Sequence, residues 1–210
     1  MILVTGATGL VGRHLIAMLC EDGVEVRALS RRPEAANLPH GVRVVGGELR
    51  DPASPAPALT GVEAVYLFSA GRAGIGFAAS AARADAATAP IHEADLAAVA
   101  AIVLRGGHAG RRYSLTGPQS LTFREQVAIL ARALGRELAF VEETPDQARE
   151  RMARHGVPVS VIDELLAMWA ATAGVAPTVP PTVSPAVERL TGLPGRSFAQ
   201  WADEHAGDFR

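Results

Sequence analysis

The sequence predicts an α/β fold with a parallel sheet, followed by a mainly helical C-terminal part. Short apolar runs alternate with helical patterns over residues 1–69, and a glycine-rich turn directly follows the first run. After residue 118, helix-capping signals replace strand patterns. Because neighbouring parallel strands are usually joined through a helix, this alternation favours a parallel sheet.

The first part of the chain contains four predicted strands, at residues 1–5, 24–29, 42–45 and 64–68. A helix is predicted over residues 9–22, where apolar side chains recur at helical spacing and Gly23 provides a stop. A short helix is predicted over residues 52–59, with Asp51 as its N-cap and Pro52 at its first position.

Residues 70–90 interrupt this alternation. Ten of these 21 residues are alanine and three are glycine, and neither type favours strands. We therefore expect no strand here, only a loop or a short helix over residues 77–87. A helix over residues 91–104 and a short strand over residues 112–115 follow.

The C-terminal part carries clear helix starts. Capping boxes are predicted at Thr122/Glu125, Thr144/Gln147 and Ser197/Gln200, with a weaker variant at Ser160/Asp163. A strand over residues 138–141 is predicted between two of these helices, and the proline-rich residues 174–185 indicate an irregular connection. We expect two domains, 1–117 and 118–210, with residues 70–90 as an irregular junction in the first.

The composition excludes several chemistries, because all 20 basic residues other than histidine are arginine and the chain has no lysine. A Walker-type phosphate loop needs a lysine. A Schiff base to a carbonyl or to pyridoxal phosphate needs a side-chain amine. The tyrosine–lysine couple of many reductases is excluded for the same reason.

The charge and the cysteine content exclude further kinds of partner and site. The net charge of −2, without a basic block, disfavours nucleic acid as a partner. A single cysteine, Cys20, excludes an intrachain disulfide and a cysteine-based metal cage, and no metal site is predicted. With neither a signal peptide nor a membrane span in the sequence, we expect a cytoplasmic protein.

The most informative motif is T-G-A-T-G-L-V-G at residues 5–12, which places glycines at positions 6, 9 and 12. A dinucleotide needs a strand, a tight turn and a helix N-terminus that faces the pyrophosphate. Gly6 permits the turn, Gly9 lets the backbone approach the phosphates, and Gly12 lets the helix pack against the strand. The alternative is a glycine-rich turn in a domain that binds nothing.

The end of the second predicted strand bears on the choice of cofactor. An NAD-preferring site usually has an acidic residue about 20 positions past the loop. This sequence has Ser30, Arg31 and Arg32 there and no acid. Guanidinium groups pair with a 2′-phosphate, so the sequence predicts a preference for NADP(H) over NAD(H). The alternative is that the two arginines are solvated surface residues.

These segments resemble the NmrA-like family of atypical short-chain dehydrogenase/reductase proteins, which are Rossmann-like and bind NAD(P)H. The resemblance is carried by TGATGLVGRHL, VRALSRRP, GELRDP and GVEAVYLFS, and then by PIHEADLAAVAA, YSLTGPQSLTFREQ, ALGREL and FAQWADEHA. It covers residues 1–69 and resumes at about residue 83.

The resemblance implies a set of cofactor-binding residues. The pyrophosphate loop corresponds to Gly6, Thr8, Gly9, Leu10, Val11 and Gly12. Arg31 matches the family's usual 2′-phosphate arginine. Glu48 and Leu49 stand where the family has Asp-Leu near the adenine, and Phe68 and Ser69 match the strand end beside the adenosine ribose.

The chain departs from the family between Ser69 and Pro90, where at least one strand–helix–strand unit is missing. Such a unit takes about 30 residues or more. The resemblance therefore implies an internal deletion and a truncated sheet with strand order 3-2-1-4, which exposes an edge beside the fourth strand.

No catalytic residue is predicted. Tyr66 and Tyr113 are the only tyrosines and are interpreted as core aromatics. His92, Glu93 and Asp95 cluster at a helix start. Such a group can bind a metal or relay a proton, or it can cap the helix, and capping is favoured.

The sequence thus predicts an NADP(H)-binding protein with a small-molecule substrate. Three alternatives stay open: a reductase of quinones or carbonyl compounds, a non-catalytic redox sensor that binds NADP, and a truncated relative without activity. An oligomer is compatible with each, and no membrane or nucleic-acid partner is expected.

Overall fold

The computed structural model describes residues 1–49, 51, 53–67, 85, 87–173 and 182–209. The chain divides into two compact units. The sheet unit comprises residues 1–69, 91–115 and 184–195, and the helical unit comprises residues 70–90, 116–183 and 196–210. The division of the sequence at residue 117 stays a prediction.

The strands follow the predicted alternation. In chain order they are β1 Ile2–Val4, β2 Val26–Ser30, β3 Arg43–Gly46, β4 Ala64–Tyr66, β5 Ala87–Thr88 and β6 Leu121–Thr122. The first four form one parallel sheet in the order β3-β2-β1-β4, with Ile2 opposite both Val26 and Ala64. The predicted α/β class and strand order are confirmed.

The α-helices of the described residues are α1 Leu10–Glu21, α2 Ala56–Leu59, α3 Glu93–Leu104, α4 Phe123–Leu134, α5 Pro145–Arg154, α6 Val159–Ala173, α7 Ala186–Thr191 and α8 Phe198–Glu204. None of these helices is long and apolar enough to cross a membrane.

The core of the sheet unit lies between the sheet and helices α1 and α3. Leu15, Ile16 and Leu19 of α1 are fully buried in one cluster with Val4 of β1 and Ala97 of α3. The apolar side chains of α1 therefore fix this helix against the sheet. This packing holds the turn between β1 and α1 in place.

The three predicted capping boxes are present, and each starts a helix of the helical unit. At the start of α4, Thr122 Oγ1 accepts from the Glu125 backbone N–H at 3.1 Å, and Glu125 Oε2 accepts from the Thr122 N–H at 2.7 Å. The boxes of α5 and α8 have the same reciprocal pattern. Local sequence signals were sufficient here because both partners lie within one turn.

The helical unit contains a strand pair that the sequence did not predict. Ala87–Thr88 pairs antiparallel with Leu121–Thr122, so the expectation of no strand in residues 70–90 was wrong. Gln126 of α4 is fully buried, and its amide donates to Thr88 Oγ1 at 2.9 Å and to the Leu121 carbonyl at 3.0 Å. This side chain from a neighbouring helix stabilises strands that are too short to be recognised by pattern.

The short helix predicted over residues 52–59 is present but begins later than expected, and one other predicted element of the sheet unit was wrong. Helix α2 begins at Ala56 after Pro55, and Asp51 instead closes a turn, in which its carboxylate accepts from the Ala53 N–H at 3.1 Å. Residues 112–115 form no strand. The Tyr113 hydroxyl lies 2.7 Å from His108 Nδ1, and this pair holds the segment in an irregular conformation.

Two predictions for the helical unit differ from the structure. Residues 138–141 are irregular rather than a strand, and Phe140 stacks on Phe123 with ring centroids 6.5 Å apart. Ser160 lies inside α6 rather than at its N-cap, and Asp163 forms an ion pair with Arg149 at 2.6 Å. The helix predicted over residues 77–87 lies largely outside the described residues, as does most of the connection at 174–185.

Candidate cofactor-binding site

The loop between β1 and α1 is held tightly at its start. Thr5 follows β1, and both its backbone N–H and its hydroxyl donate to the Tyr66 carbonyl at the end of β4, each at 3.0 Å. Gly6 has φ +61°, a left-handed conformation that L side chains rarely adopt. The Gly9 N–H then closes the turn on the Gly6 carbonyl at 2.9 Å.

Gly12 lies where no side chain fits. A Cβ added there would lie 2.9 Å from Ala7 Cα and would overlap the Gly6 carbonyl oxygen. At Gly9, an added Cβ would lie 3.2 Å from the same oxygen. The first turn of α1 therefore packs directly on the loop, which is the close approach that the glycine spacing predicted.

The N-terminus of α1 has no side-chain cap, unlike those of four other helices. Its N-cap is Gly9, without a side-chain hydrogen bond, and its first turn contains no acidic residue. By contrast, a side chain caps each of α3, α4, α5 and α8: His92, Thr122, Thr144 and Ser197. The first N–H groups of α1 and its helix dipole are thus available to an anion from outside the chain.

A cleft of about 460 Å³ opens beside this loop. It lies within the sheet unit and is lined by residues from the loop and from the ends of β2 and β3. The cleft brings together seven predicted cofactor-binding residues: Gly6, Thr8, Ser30, Arg31, Arg32, Glu48 and Leu49. Gly6 and Glu48 are 42 positions apart in sequence, so the parallel sheet produces this grouping.

The ends of β2 and β3 are connected by several polar contacts. The Gly47 N–H donates to the Ser30 carbonyl at 3.0 Å, and the Glu48 N–H donates to Ser54 Oγ at 2.8 Å. Ser30 Oγ accepts from the Arg32 N–H at 3.2 Å. Arg31 Nε lies 3.9 Å from Glu48 Oε2, and the Arg31 side chain is 79% exposed. The backbone at this edge is therefore fixed, whereas the Arg31 side chain projects into solvent.

The sequence did not predict Arg13, the one charged residue of the described cleft lining that lies outside the predicted cofactor-binding set. Its Nε donates to the Thr8 carbonyl at 2.9 Å. The available signal was its position directly after Gly12, at the start of a helix that faces the loop. A basic residue on a helix surface has no distinctive pattern of its own, so this signal was weak.

The other loop residues line a second cavity in the same unit, with a volume of about 340 Å³. Gly9, Leu10, Val11 and Gly12 meet residues of the α3 start there: Ile91, Glu93 and Leu96. Phe68 and Ser69, predicted to lie beside the adenosine ribose, fall outside the described residues.

The His92 cluster serves helix α3. His92 Nδ1 accepts from the Ala94 N–H at 3.1 Å and lies 3.6 Å from a Glu93 carboxylate oxygen. His92, Glu93 and Asp95 are all buried. The structure thus supplies the capping contact expected for this cluster, and no group of three potential metal ligands occurs in the part of the chain that it describes.

The tyrosines show no catalytic arrangement. Burial raises the pKa of Tyr66 above its ordinary value, which makes proton release from its hydroxyl harder. Tyr113 contacts His108, and the chain has no lysine that could lower a phenol pKa. Neither residue lines the two cavities described above.

Comparison with known proteins identifies the family. The sequence model of a family described as NAD(P)H-binding matches residues 6–128. A (4-alkanoyl-5-oxo-2,5-dihydrofuran-3-yl)methyl phosphate reductase of Streptomyces griseus subsp. griseus is 33% identical over 285 positions, covering 100% of this chain and 99% of the relative. An NAD(P)H azoreductase of Xenophilus azovorans is 38% identical over 121 residues, covering 55% of this chain and 40% of the relative.

Solved structures share the fold. An NADPH-dependent quinone oxidoreductase from Escherichia coli has a TM-score of 0.73 at 22% identity, covering 97% of this chain and 99% of that chain. The Citrobacter sp. triphenylmethane reductase, solved as a complex with NADP(H), has a TM-score of 0.69 at 18% identity, covering 98% of this chain and 100% of that chain.

The Streptomyces alignment also bears on the missing segment. It extends over 285 positions, whereas this chain has 210 residues that are all included. The relative therefore contains internal positions without a counterpart here, in agreement with the predicted internal deletion. The chain belongs to the NAD(P)H-binding family, is shorter than this relative and has a Rossmann-like fold, as the resemblance to NmrA-like, atypical short-chain dehydrogenase/reductase proteins implied.

Proposed function

We propose that this protein binds NADP(H), with the adenosine end of the dinucleotide in the 460 Å³ cleft. The observation that carries the proposal is the meeting of the glycine loop with Arg31 and Arg32 in one cleft. The loop offers N–H groups to a pyrophosphate, and the arginines offer charge to a 2′-phosphate.

The residues fit this group chemically. The N-terminus of α1 has no side-chain cap and no acidic residue in its first turn, and Gly12 leaves no side chain between helix and loop. Ser30 adds a hydroxyl beside the arginines. No acidic residue stands at the end of β2, where an NAD-specific site usually has one. The hydroxyl, the arginines and the missing acid at the end of β2 favour NADP(H) over NAD(H).

We further propose a reductase that acts on quinones or carbonyl compounds. A (4-alkanoyl-5-oxo-2,5-dihydrofuran-3-yl)methyl phosphate reductase, an azoreductase and a quinone oxidoreductase are among the similar proteins. Bound NADPH would supply a hydride, and the contribution of the chain would be to bind and orient the dinucleotide. The substrate would be a small molecule.

Binding without turnover is the second candidate, and the shortened chain favours it. The Streptomyces relative aligns over 285 positions with this chain of 210 residues, so it has internal segments that this chain lacks. Among the described residues, neither cavity is lined by a tyrosine or a histidine that could donate a proton. A protein of this kind would sense the cofactor and regulate a partner.

Two measurements separate these candidates. NADPH should raise the thermal unfolding temperature, because a ligand that binds only the folded state stabilises it by mass action. Consumption of NADPH in the presence of quinones then tests for a reductase. A stability increase without consumption supports the sensor, and the absence of both supports a relative that has lost its function.

A further inference from the structure

Arg13 is placed to contact a ligand in the cleft. It directly follows Gly12 in the first turn of α1, and its Nε donates to the Thr8 carbonyl at 2.9 Å. A guanidinium has five N–H donors arranged in a planar fork. The bond from Nε uses one of them, which leaves the two terminal nitrogens for an acceptor in the cleft.

The charges around the cleft favour a contact between Arg13 and a phosphate. Its lining contains three arginines, at positions 13, 31 and 32, and one acid, Glu48. Arg31 lies 3.9 Å from the Glu48 carboxylate. Over the described residues, no carboxylate oxygen lies within 4.0 Å of the Arg13 or Arg32 guanidinium. A phosphate would therefore meet a positive charge at Arg13 that no close acid offsets.

Arg13 is exposed, as is Arg31, but it has a hydrogen bond that fixes its side chain on the loop. Its backbone belongs to a helix packed in the core, and its side chain is hydrogen-bonded to the loop. The Arg31 side chain lies beyond the end of β2 and is 79% exposed. An anchored cation loses less conformational freedom when it binds, so more of its interaction is realised as affinity.

We propose that Arg13 is a specificity-determining residue that binds the 2′-phosphate of NADP(H) together with Arg31 and Arg32. This inference rests on the proposed function. The hydrogen bond from Arg13 to the Thr8 carbonyl would also link the 2′-phosphate position to the conformation of the glycine loop.

The test is to measure dissociation constants for NADPH and NADH with wild type, Arg13→Gln, Arg13→Lys and Arg43→Gln. Glutamine removes the charge and keeps an amide that can bond to Thr8, and Arg43 is an exposed arginine of the sheet unit outside the cleft. Arg13→Gln should weaken NADPH about tenfold or more and NADH less than about threefold. Arg13→Lys should recover part of the loss, and Arg43→Gln should change neither.

The outcomes separate the two proposals. If wild type binds neither dinucleotide, the proposed function fails and the inference fails with it. If wild type prefers NADPH and Arg13→Gln does not change this, only the inference is overturned. An equal loss for both dinucleotides also overturns it, since Arg13 would then act on a part that they share. Unfolding without ligand shows whether each variant is folded.

Discussion

Arg31 Nε lies 3.9 Å from Glu48 Oε2, where the ends of β2 and β3 meet at the cleft. The Glu48 carboxylate and this guanidinium both belong to the cleft lining. Both side chains are substantially exposed, at 79% and 42%, so the pair is weak. A 2′-phosphate would compete with this carboxylate for Arg31.

The first prediction follows from that competition. Glu48→Gln should increase the affinity for NADPH about two- to fivefold, because it removes a negative charge that an exposed pair stabilises only weakly. Affinity for NADH should change less. Glu21→Gln, at an exposed position at the end of α1, is the matched control. Weaker NADPH binding by Glu48→Gln would show that Glu48 contacts the cofactor favourably.

The second prediction concerns Gly12. Gly12→Ala should lower the free energy of unfolding by about 1–3 kcal/mol, because its Cβ would meet the backbone of Gly6 and Ala7. Gly207→Ala is the control, since nothing lies within 4 Å of a Cβ there. Urea denaturation without cofactor measures both. Equal stability of Gly12→Ala and wild type would show that loop and helix can separate at no cost.

The third prediction concerns a buried arginine. Arg27 of β2 is 4% exposed, and its Nη1 donates to the Ala58 and Thr60 carbonyls, each at 2.7 Å. Arg27→Met should lower the free energy of unfolding by about 2 kcal/mol, because these carbonyls lose their donor. Arg43 lies opposite it in the sheet register and is exposed.

Arg43→Met is therefore the matched control, and a surface substitution of this kind should change stability by less than about 0.5 kcal/mol. The same denaturation experiment compares the two variants. If Arg27→Met is as stable as Arg43→Met, the two short contacts contribute nothing net to the fold.

The fourth prediction concerns pH. Hydrogen bonds from Arg151 at 2.9 Å hold the pKa of Glu143 below its ordinary value of 4.5. The unfolded chain then binds more protons than the folded chain, so this pair stabilises the fold fully above pH 4.5. The contribution is lost as the pH falls through the lowered folded pKa.

Glu143→Gln should therefore reduce the loss of stability between pH 7 and the acid range below pH 4.5. Arg151→Met should reduce it to the same extent, and the double variant should add nothing further, as expected for one coupled pair. A full, unchanged pH dependence in Glu143→Gln would assign the acid sensitivity to other carboxylates.

Local patterns predicted much of the fold. The β1–loop–α1 unit and the three capping boxes depend on residues within one or two turns of each other, and these agree with the structure. Among the elements that were wrong, the strand pair depends on partners distant in sequence, and residues 112–115 depend on a side-chain contact five positions away. Thr88, for example, pairs across to Leu121, and Tyr113 is held by His108 rather than by a strand.

In the candidate site, too, local patterns predicted some residues, whereas others became evident only from the fold. Spacing alone picked out Gly6 and Gly12, because a tight turn and a close helix have a direct sequence signature. Arg13 was missed because its position in the cleft follows from the path of α1 over the loop. Arg27 lies in the strand predicted over residues 24–29, and only the fold shows that it is buried and donates to the Ala58 and Thr60 carbonyls.

The most direct test of the account is the ratio of the NADH and NADPH dissociation constants of the wild-type protein, measured by titration calorimetry at fixed salt. NADPH should bind at least about tenfold more tightly than NADH, since a 2′-phosphate gains charge-assisted hydrogen bonds from the arginines of the cleft. Equal affinities, or no binding of either dinucleotide, would contradict this expectation.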